Sequence, residues 1–355
     1  MTIDIKVLAA GMGDSVILSF NHSENKTVNI LIDGGNVFDI YTQNLRKEIC
    51  NIRAFKQSID LLIVTHLDQD HIKGIIYLSR DFNDRNCGLT TELIDLYWFN
   101  SPNKEKIYKL LEKLDISAAE MEELEKFLHN QPDSKWDISK KIVALQVHDF
   151  FGAKLTILSP TIDILNSFED EFGPLDVGTT TDDYDNTLEE LIEFEKERFA
   201  TGREELDTKF ENATSIAFLM EFGGKSILYL GDAIPAVIDN AIKQILNERK
   251  IARLKVDAIK LSHHASRKSI SWNFLEMVDC SRFLISTNGN KSKLPNKATF
   301  AKILGHPRRE LGEKIEFMFN YPNFSKRLNF TDSEKASYGF TCKDSNYEHG
   351  YHLPI

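Results

Sequence analysis

A chain of 355 residues, 42% of them hydrophobic, is long enough to bury the core of one large or two ordinary domains without staples. The formal net charge of -11 argues against a surface coated in basic side chains for general polyanion binding, while leaving room for a local basic cleft. Cys50, Cys87, Cys280 and Cys342 stand singly with no CxxC pair, which excludes a disulfide framework or a thiolate metal site and fits a reducing cytoplasm.

From the N-terminus, MTIDIKVLAAGMGDS lacks the basic region and sustained apolar stretch of a secretory signal. It reads as a first strand, Ile3 to Ala9, followed by strands from Ser15 to Phe20 and Thr27 to Ile32. A helical stretch is predicted from Asp39 to Ser58, then a strand from Leu61 to Thr65 and a helix from Asp70 to Leu78. A strand from Glu92 to Phe99 and a helical region from Lys104 to His129 come next. Strands follow at Lys141 to Val147, Lys154 to Leu158, Ser215 to Phe222 and Ser226 to Leu230. The remaining pattern is a helix from Pro235 to Arg249, a strand from Val256 to Leu261, a helix from Ser271 to Val278 and a strand from Arg282 to Ser286. A helix from Lys297 to Leu304 and a strand from Lys314 to Tyr321 complete it. No run of about 18 apolar residues occurs, so no membrane span is expected. Many strands, some adjacent and some separated by helices, imply an α+β fold of two sheets packed face to face with helices outside.

Two stretches read as insertions. The first, about residues 100–136, contains KIYKLLEKLDISAAEMEELEKFL, whose apolar spacing fits amphipathic helices that cover the fold or meet a protein partner. The second, about residues 168–211, is acidic and includes GTTTDDYDNTLEELIEFEKERF. Its DDYD lacks the glycine and spaced oxygen donors of a calcium loop, so a mobile acidic loop or surface helix is expected.

The densest chemistry lies in THLDQDHIKG, where His66, Asp68, Asp70 and His71 fall within six residues directly after an apolar run. Imidazole and carboxylate are the usual non-thiolate ligands of zinc, manganese and iron, and alternate residues of an extended segment project to one side. His66 and Asp68 can therefore face one ion while Asp70 and His71 reach a second. Asp33 closes NILIDGG, Asp232 closes SILYLGDA, and His263 and His264 close VDAIKLSHHAS. Each follows an apolar run, so one edge of a two-sheet sandwich would gather them. Lys260, Ser266, Arg267 and Lys268 flank the histidine pair and offer donors to phosphate oxygens. Near the end of the chain, Phe324, Phe330, Tyr338 and Phe340 lie close to Lys326 and Arg327. They suit either stacking on single-stranded bases or covering a sandwich edge. His306 is expected at the surface.

This ordered set resembles the metallo-β-lactamase superfamily, from Met1 to about Leu304 outside the insertions. Within it the details look most like the nuclease-like domain of ComEC-type DNA-uptake proteins and their free-standing relatives. AAGMGDSVIL matches that branch's first motif at Gly11, Gly13, Asp14 and Ser15. Asp68 stands where most of the superfamily has a second histidine, NATSIAFLMEFGGKSILYLGDA matches its asparagine-and-serine strand, and IKLSHHASRKS its di-histidine motif with Ala265 for glycine. Leu294-Pro295 replaces the branch's His-Pro pair.

The resemblance implies an αββα sandwich over residues 1–310, with residues 311–355 a strand and tail packed on it. It also implies two divalent ions, manganese or zinc with magnesium not excluded. His66, Asp68 and Asp232 would hold one, and Asp70, His71, Asp232 and His263 the other. Asp33 would orient a ligand histidine, and Asn212 would be a weak ligand or a hydrogen-bonding support. Asp70, His264 and Lys268 would serve catalysis, with His264 facing substrate or solvent. Two such ions activate water for hydrolysis and neutralise a phosphoryl oxygen. The expectation is a phosphodiesterase or nuclease on DNA or RNA. The same site could serve a small phosphodiester or another ester, and an idle site would leave a regulatory subunit of a defence or DNA-processing assembly. A chain without membrane spans cannot itself be a DNA-uptake channel.

Overall fold

The computed structural model describes residues 2–84, 86–101, 118–167, 182–290, 293–307 and 314–355. The strands in chain order are β1 (Ile3–Leu8), β2 (Val16–Ser23), β3 (Lys26–Ile32), β4 (Leu61–Ile63), β5 (Tyr97–Trp98), β6 (Val147–Phe150), β7 (Ala153–Ser159), β8 (Ala217–Phe222), β9 (Lys225–Tyr229), β10 (Leu254–Lys255), β11 (Ala258–Lys260), β12 (Val278–Asp279), β13 (Arg282–Ile285), β14 (Ile315–Phe319), β15 (Phe340–Lys343) and β16 (Gly350–Pro354). One sheet runs β16-β1-β2-β3-β4-β5 and the other β15-β14-β13-β11-β9-β8-β7-β6. β3 and β4 are parallel, as are β9 and β11, so each pair ends on the same edge of its sheet.

Side-chain alternation along the strands separates three apolar layers. Val16, Leu18 and Phe20 of β2 turn between the sheets, with Ile30 and Ile32, against Ile157, Phe218, Met220 and Tyr229. Ile17 and Leu31 turn the other way, onto Tyr41, Ile49, Ile72 and Ile75. On the far side Leu219, Leu228, Ile259 and Phe317 pack on Ile242, Phe274, Phe300 and Ile192. Helix, sheet, sheet and helix thus form the four layers of the expected αββα sandwich.

The helix expected from Asp39 to Ser58 divides into Phe38–Gln43 and Leu45–Ala54. Asn44 lies between them, and its side-chain amide donates to the Ala9 carbonyl at 2.8 Å. The strand expected at Lys141 to Val147 begins only at Val147. Of the first insertion, the helix Ala118–His129 is described; its Met121, Leu124 and Leu128 are buried against the outer helices of the first sheet. That apolar face is used by the fold. Residues 104–117 of the expected helix lie outside the described residues.

In the second insertion, residues 168–181 also lie outside them, and the helix Leu188–Ala200 opens on a Thr187/Glu190 capping box and buries Leu188, Leu191 and Ile192. Within DDYD, the Asp183 carboxylate accepts from Lys297 N and Ala298 N at 2.7 and 2.8 Å. It caps the helix Lys297–Gly305. Phe324, Phe330 and Phe340 are buried in the core outside the second sheet, so they cover the sandwich and present no platform to bases. β14 and β15 extend the second sheet, and β16 returns to pair with β1. The four cysteines are free, and no helix among the described residues is long and apolar enough to cross a membrane.

Candidate metal centre

Asp33, His66, Asp232 and the His263-His264 pair follow β3, β4, β9 and β11 within four residues, and the parallel pairings bring them to one sandwich edge. Ile216 N donates to the Thr65 carbonyl at 3.0 Å there, stitching the two sheets together. Asp70 and His71 enter on the first turn of the helix Gln69–Asn83. Gly13 lies so close to this turn that a Cβ would stand 1.6 Å from the Asp70 carbonyl oxygen. Farther along, a Cβ on Gly74 would stand 1.9 Å from the Gly34 carbonyl. Both glycines are required by close backbone approach.

Four imidazoles share one orientation. His71 Nδ1 donates to Asp33 Oδ2 at 2.8 Å, and Asp33 is itself fixed by Thr65 N and Thr65 Oγ1. Because Thr65 Oγ1 donates to Asp33, it accepts from His66 Nδ1 at 3.0 Å. His264 Nδ1 donates to the Ser286 carbonyl at 2.8 Å and His263 Nδ1 to Asp207 Oδ2 at 3.2 Å. With every Nδ1 occupied, each Nε2 is the atom left to bind an ion.

Those Nε2 atoms gather around Asp232. Asp232 Oδ2 lies 3.9 Å from His66 Nε2, 3.8 Å from His264 Nε2 and 4.0 Å from His263 Nε2, and Oδ1 lies 3.5 Å from His71 Nε2. His66 Nε2 is also 3.8 Å from Asp68 Oδ2, and His264 Nε2 is 3.3 Å from Asp70 Oδ2. His66 Nε2, His71 Nε2, His264 Nε2 and Asp232 Oδ1 are buried and form no aligned hydrogen bond. Left so, they cost stability. Two donors bound tetrahedrally to one ion at about 2.1 Å stand roughly 3.4 Å apart, so spacings of this order suit shared ligation better than hydrogen bonding. His66, His71 and Asp232 form one buried set with ligand atoms within 4.8 Å, and Asp70, His71 and His264 another. The residues fit a metal ion.

Electrostatics agree. Burial and the neighbouring His71 keep the His66 imidazole neutral, pushing its pKa below the usual value. Burial opposes protonation of His264, yet Asp232, Asp14 and Asp70 outweigh it and raise the pKa to about 9. Burial likewise opposes the charged form of Asp232, but the surrounding histidines hold it well below the carboxylate range. This is an anionic pocket that draws in positive charge.

Several expected roles are corrected. His264 is buried beside Asp70 and does not face solvent, whereas the His263 side chain is 23% exposed. The reason is a left-handed turn: His263, His264 and Ala265 have φ of 46°, 53° and 64°, which brings both Nε2 atoms to Asp232. Extended-strand alternation would have separated them. Lys260 is fully buried, paired with Asp14 and lying over the Tyr229 ring, so it cannot reach a phosphate. Asp14, matched in the first motif without a role, also accepts from Tyr229 at 3.0 Å and lies 3.5 Å from His264 Nδ1. A lysine inside the apolar run VDAIKLS was the readable signal of such a buried partner.

Asn212 stands in the hydrogen-bonding support: its amide donates to Asp207 Oδ2 at 2.6 Å. Arg267 is engaged by Glu205 at 2.8 Å. Ser266 is buried, with its backbone N–H given to the His263 carbonyl, and Lys268 is held through its own carbonyl by Asp207 N at 2.8 Å. His306 is buried, 3.3 Å from Glu276 and against Trp272.

No protein-family model matches the chain, and no curated protein matches it in sequence. Among solved structures it is similar to the metallo-β-lactamase fold protein YhfI from Bacillus subtilis, at 10% identity over 100% of both chains and a TM-score of 0.43. It is also similar to Zn(2+)-bound PqqB from Methylobacterium extorquens, at 11% identity over 100% of this chain and 99% of that one, with a TM-score of 0.43. A third is CmlA, a diiron β-hydroxylase from Streptomyces venezuelae, at 9% identity over 100% of this chain and 53% of that one, with a TM-score of 0.38.

Proposed function

We propose that the chain is a metal-dependent hydrolase, a phosphodiesterase of the ComEC-type branch acting on DNA or RNA. The observation that carries this reading is the convergence of His66, His71 and His264 Nε2 on Asp232, buried and without aligned hydrogen bonds. One position would be held by His66, Asp68 and Asp232, the other by Asp70, His264 and Asp232, with His71 between them and His263 adding a ligand from the exposed rim, its Nε2 4.0 Å from Asp232 Oδ2. Divalent ions bound there would activate water and neutralise charge on a phosphoryl oxygen. Asp33, Thr65 and Ser286 fix the imidazoles in the tautomer that presents Nε2. The carboxylates Asp68, Asp70 and Asp232 make the donor set hard, favouring manganese or magnesium beside zinc. Lys268, on the turn after the histidine pair, is the proposed phosphate contact. The motifs AAGMGDS, THLDQDH and IKLSHHAS support the branch assignment.

The test incubates purified protein and its Asp70→Ala variant with linear and circular DNA, RNA and a chromogenic phosphodiester under manganese, magnesium and zinc in turn. Metal-dependent cleavage of nucleic acid that drops by at least about 100-fold in the variant is expected. Silence on every substrate by metal-loaded protein would overturn the reading.

A further inference from the structure

We propose that the acidic second insertion is a working part of the metal centre, because it delivers Asp207 as the residue that positions His263 for metal binding. This rests on the metal-centre reading above and extends it to a segment outside the family motifs.

Asp207 is buried, and each of its carboxylate oxygens has work in the structure. Oδ2 accepts from His263 Nδ1 at 3.2 Å and from Asn212 Nδ2 at 2.6 Å, and Oδ1 accepts from Lys209 N at 3.0 Å. Its own N–H is given to the Lys268 carbonyl at 2.8 Å, on the turn that follows the histidine pair. Asn212 Nδ2 also lies 3.3 Å from His263 Nδ1. The imidazole is thereby set with Nε2 directed at Asp232. His263 is the exposed member of the set, so packing holds it less than it holds His66, His71 or His264. A carboxylate partner is what fixes such a ring.

The segment before Asp207 is clamped to the body of the fold by buried charge. Lys302, 1% exposed in its side chain, donates to Glu204 at 3.0 Å and to the carbonyls of Arg267 and Ile270 at 2.9 and 3.0 Å, and lies 3.5 Å from Glu195 of the helix Leu188–Ala200. Arg267 and Arg198 both bind Glu205, at 2.8 and 2.7 Å. The residues around the histidine turn and the insertion therefore hold each other in register. Asp207 is a positioning residue, acting through His263.

The test uses the full chain, stripped by a chelator and titrated with Zn(II) against a competing chromophoric chelator, with Co(II) absorption as a second readout of the ligand set. Asp207→Ala and His263→Ala are each expected to weaken the same metal position by about 10–100-fold and to alter the Co(II) spectrum alike. The double variant should be no weaker than either single one, as two members of one path require. Asp207→Glu should recover part of the affinity, and Asp207→Asn, which preserves size, should lose about tenfold and decides the case if Asp207→Ala fails to fold. Wild-type affinity and spectrum in both Asp207→Ala and Asp207→Asn, with metal bound normally, would overturn the positioning role alone. Loss on Asp207→Ala with no effect of His263→Ala would overturn the path through His263. A folded wild-type chain that takes up no metal would overturn the metal-centre reading and this inference with it.

Discussion

Lys260 and Asp14 face each other in complete burial, one from each sheet's side of the sandwich. Removing the ammonium leaves the buried Asp14 carboxylate with only the Tyr229 hydroxyl and the His264 imidazole beside it, the costly half of a broken buried pair. Lys260→Met is expected to lower unfolding free energy by about 3–5 kcal/mol in urea titration of chelator-treated protein, and Asp14→Asn in the same chain should restore part of it. A loss below about 1 kcal/mol would mean that the pair is neutralised by another route. Asp239 shows the opposite sign. Burial raises its pKa to about 6, against a hydrogen bond from Ser271 and with help from Glu204. Its folded form binds a proton more tightly than its unfolded form, so its contribution is favourable below pH 4 and is lost as pH rises towards 6. Asp239→Asn should therefore stabilise the protein at pH 7 by about 1–2 kcal/mol after allowance for partial exposure, with the gain vanishing near pH 4. Thermal melts at both pH values check it. Residue types and their place after strands were legible in the chain, which is why Asp33, His66, His71 and Asp232 meet as expected. The division of work between His263 and His264 was not, because it depends on three consecutive left-handed residues that no local pattern of side chains announces.

At the level of elements, the strand ends carry the chemistry and the glycines set how closely they approach. Gly74→Ala would drive a methyl into the Gly34 carbonyl at 1.9 Å, backbone against backbone with no flexible side chain to yield. A loss of at least about 2 kcal/mol is expected, together with weaker metal uptake, since the helix bearing His71 must move away from Asp33. Unchanged stability in chemical denaturation would show that the two loops have room to separate. Period-two alternation marked nearly every central strand. β5 is shorter than the expected Glu92 to Phe99 and β6 lies later than the expected Lys141 to Val147, because edge strands need only a few paired residues and their neighbours are held by side chains instead. Asn100, for example, exchanges hydrogen bonds with the backbone of Ile142 at 2.8 and 2.9 Å. The second insertion was legible in part: Thr187 with Glu190 three residues on is a helix-start signal, but its acidity masked the apolar face that Leu188, Leu191 and Ile192 bury. Its delivery of Asp207 depends on Lys302, a buried lysine more than 90 residues away in the chain.

For the molecule as a whole, the donors are divided between its two sheets. His66, Asp68, Asp70 and His71 belong to the first, and Asp232, His263 and His264 to the second. An ion shared between His66 or Asp70 on one side and Asp232 on the other would thus be a rivet through the sandwich, and its binding energy would add to folding energy. At a free metal concentration a hundred times the dissociation constant, that linkage is worth about 2.7 kcal/mol. Calorimetric melts should show a rise on metal addition that a chelator reverses, and that Asp232→Asn abolishes. A melting temperature indifferent to metal would mean that neither sheet depends on the other through this edge. A bound ion would tie catalysis to folding: losing it would empty the site and take the same free energy from the join between the two sheets in a single event.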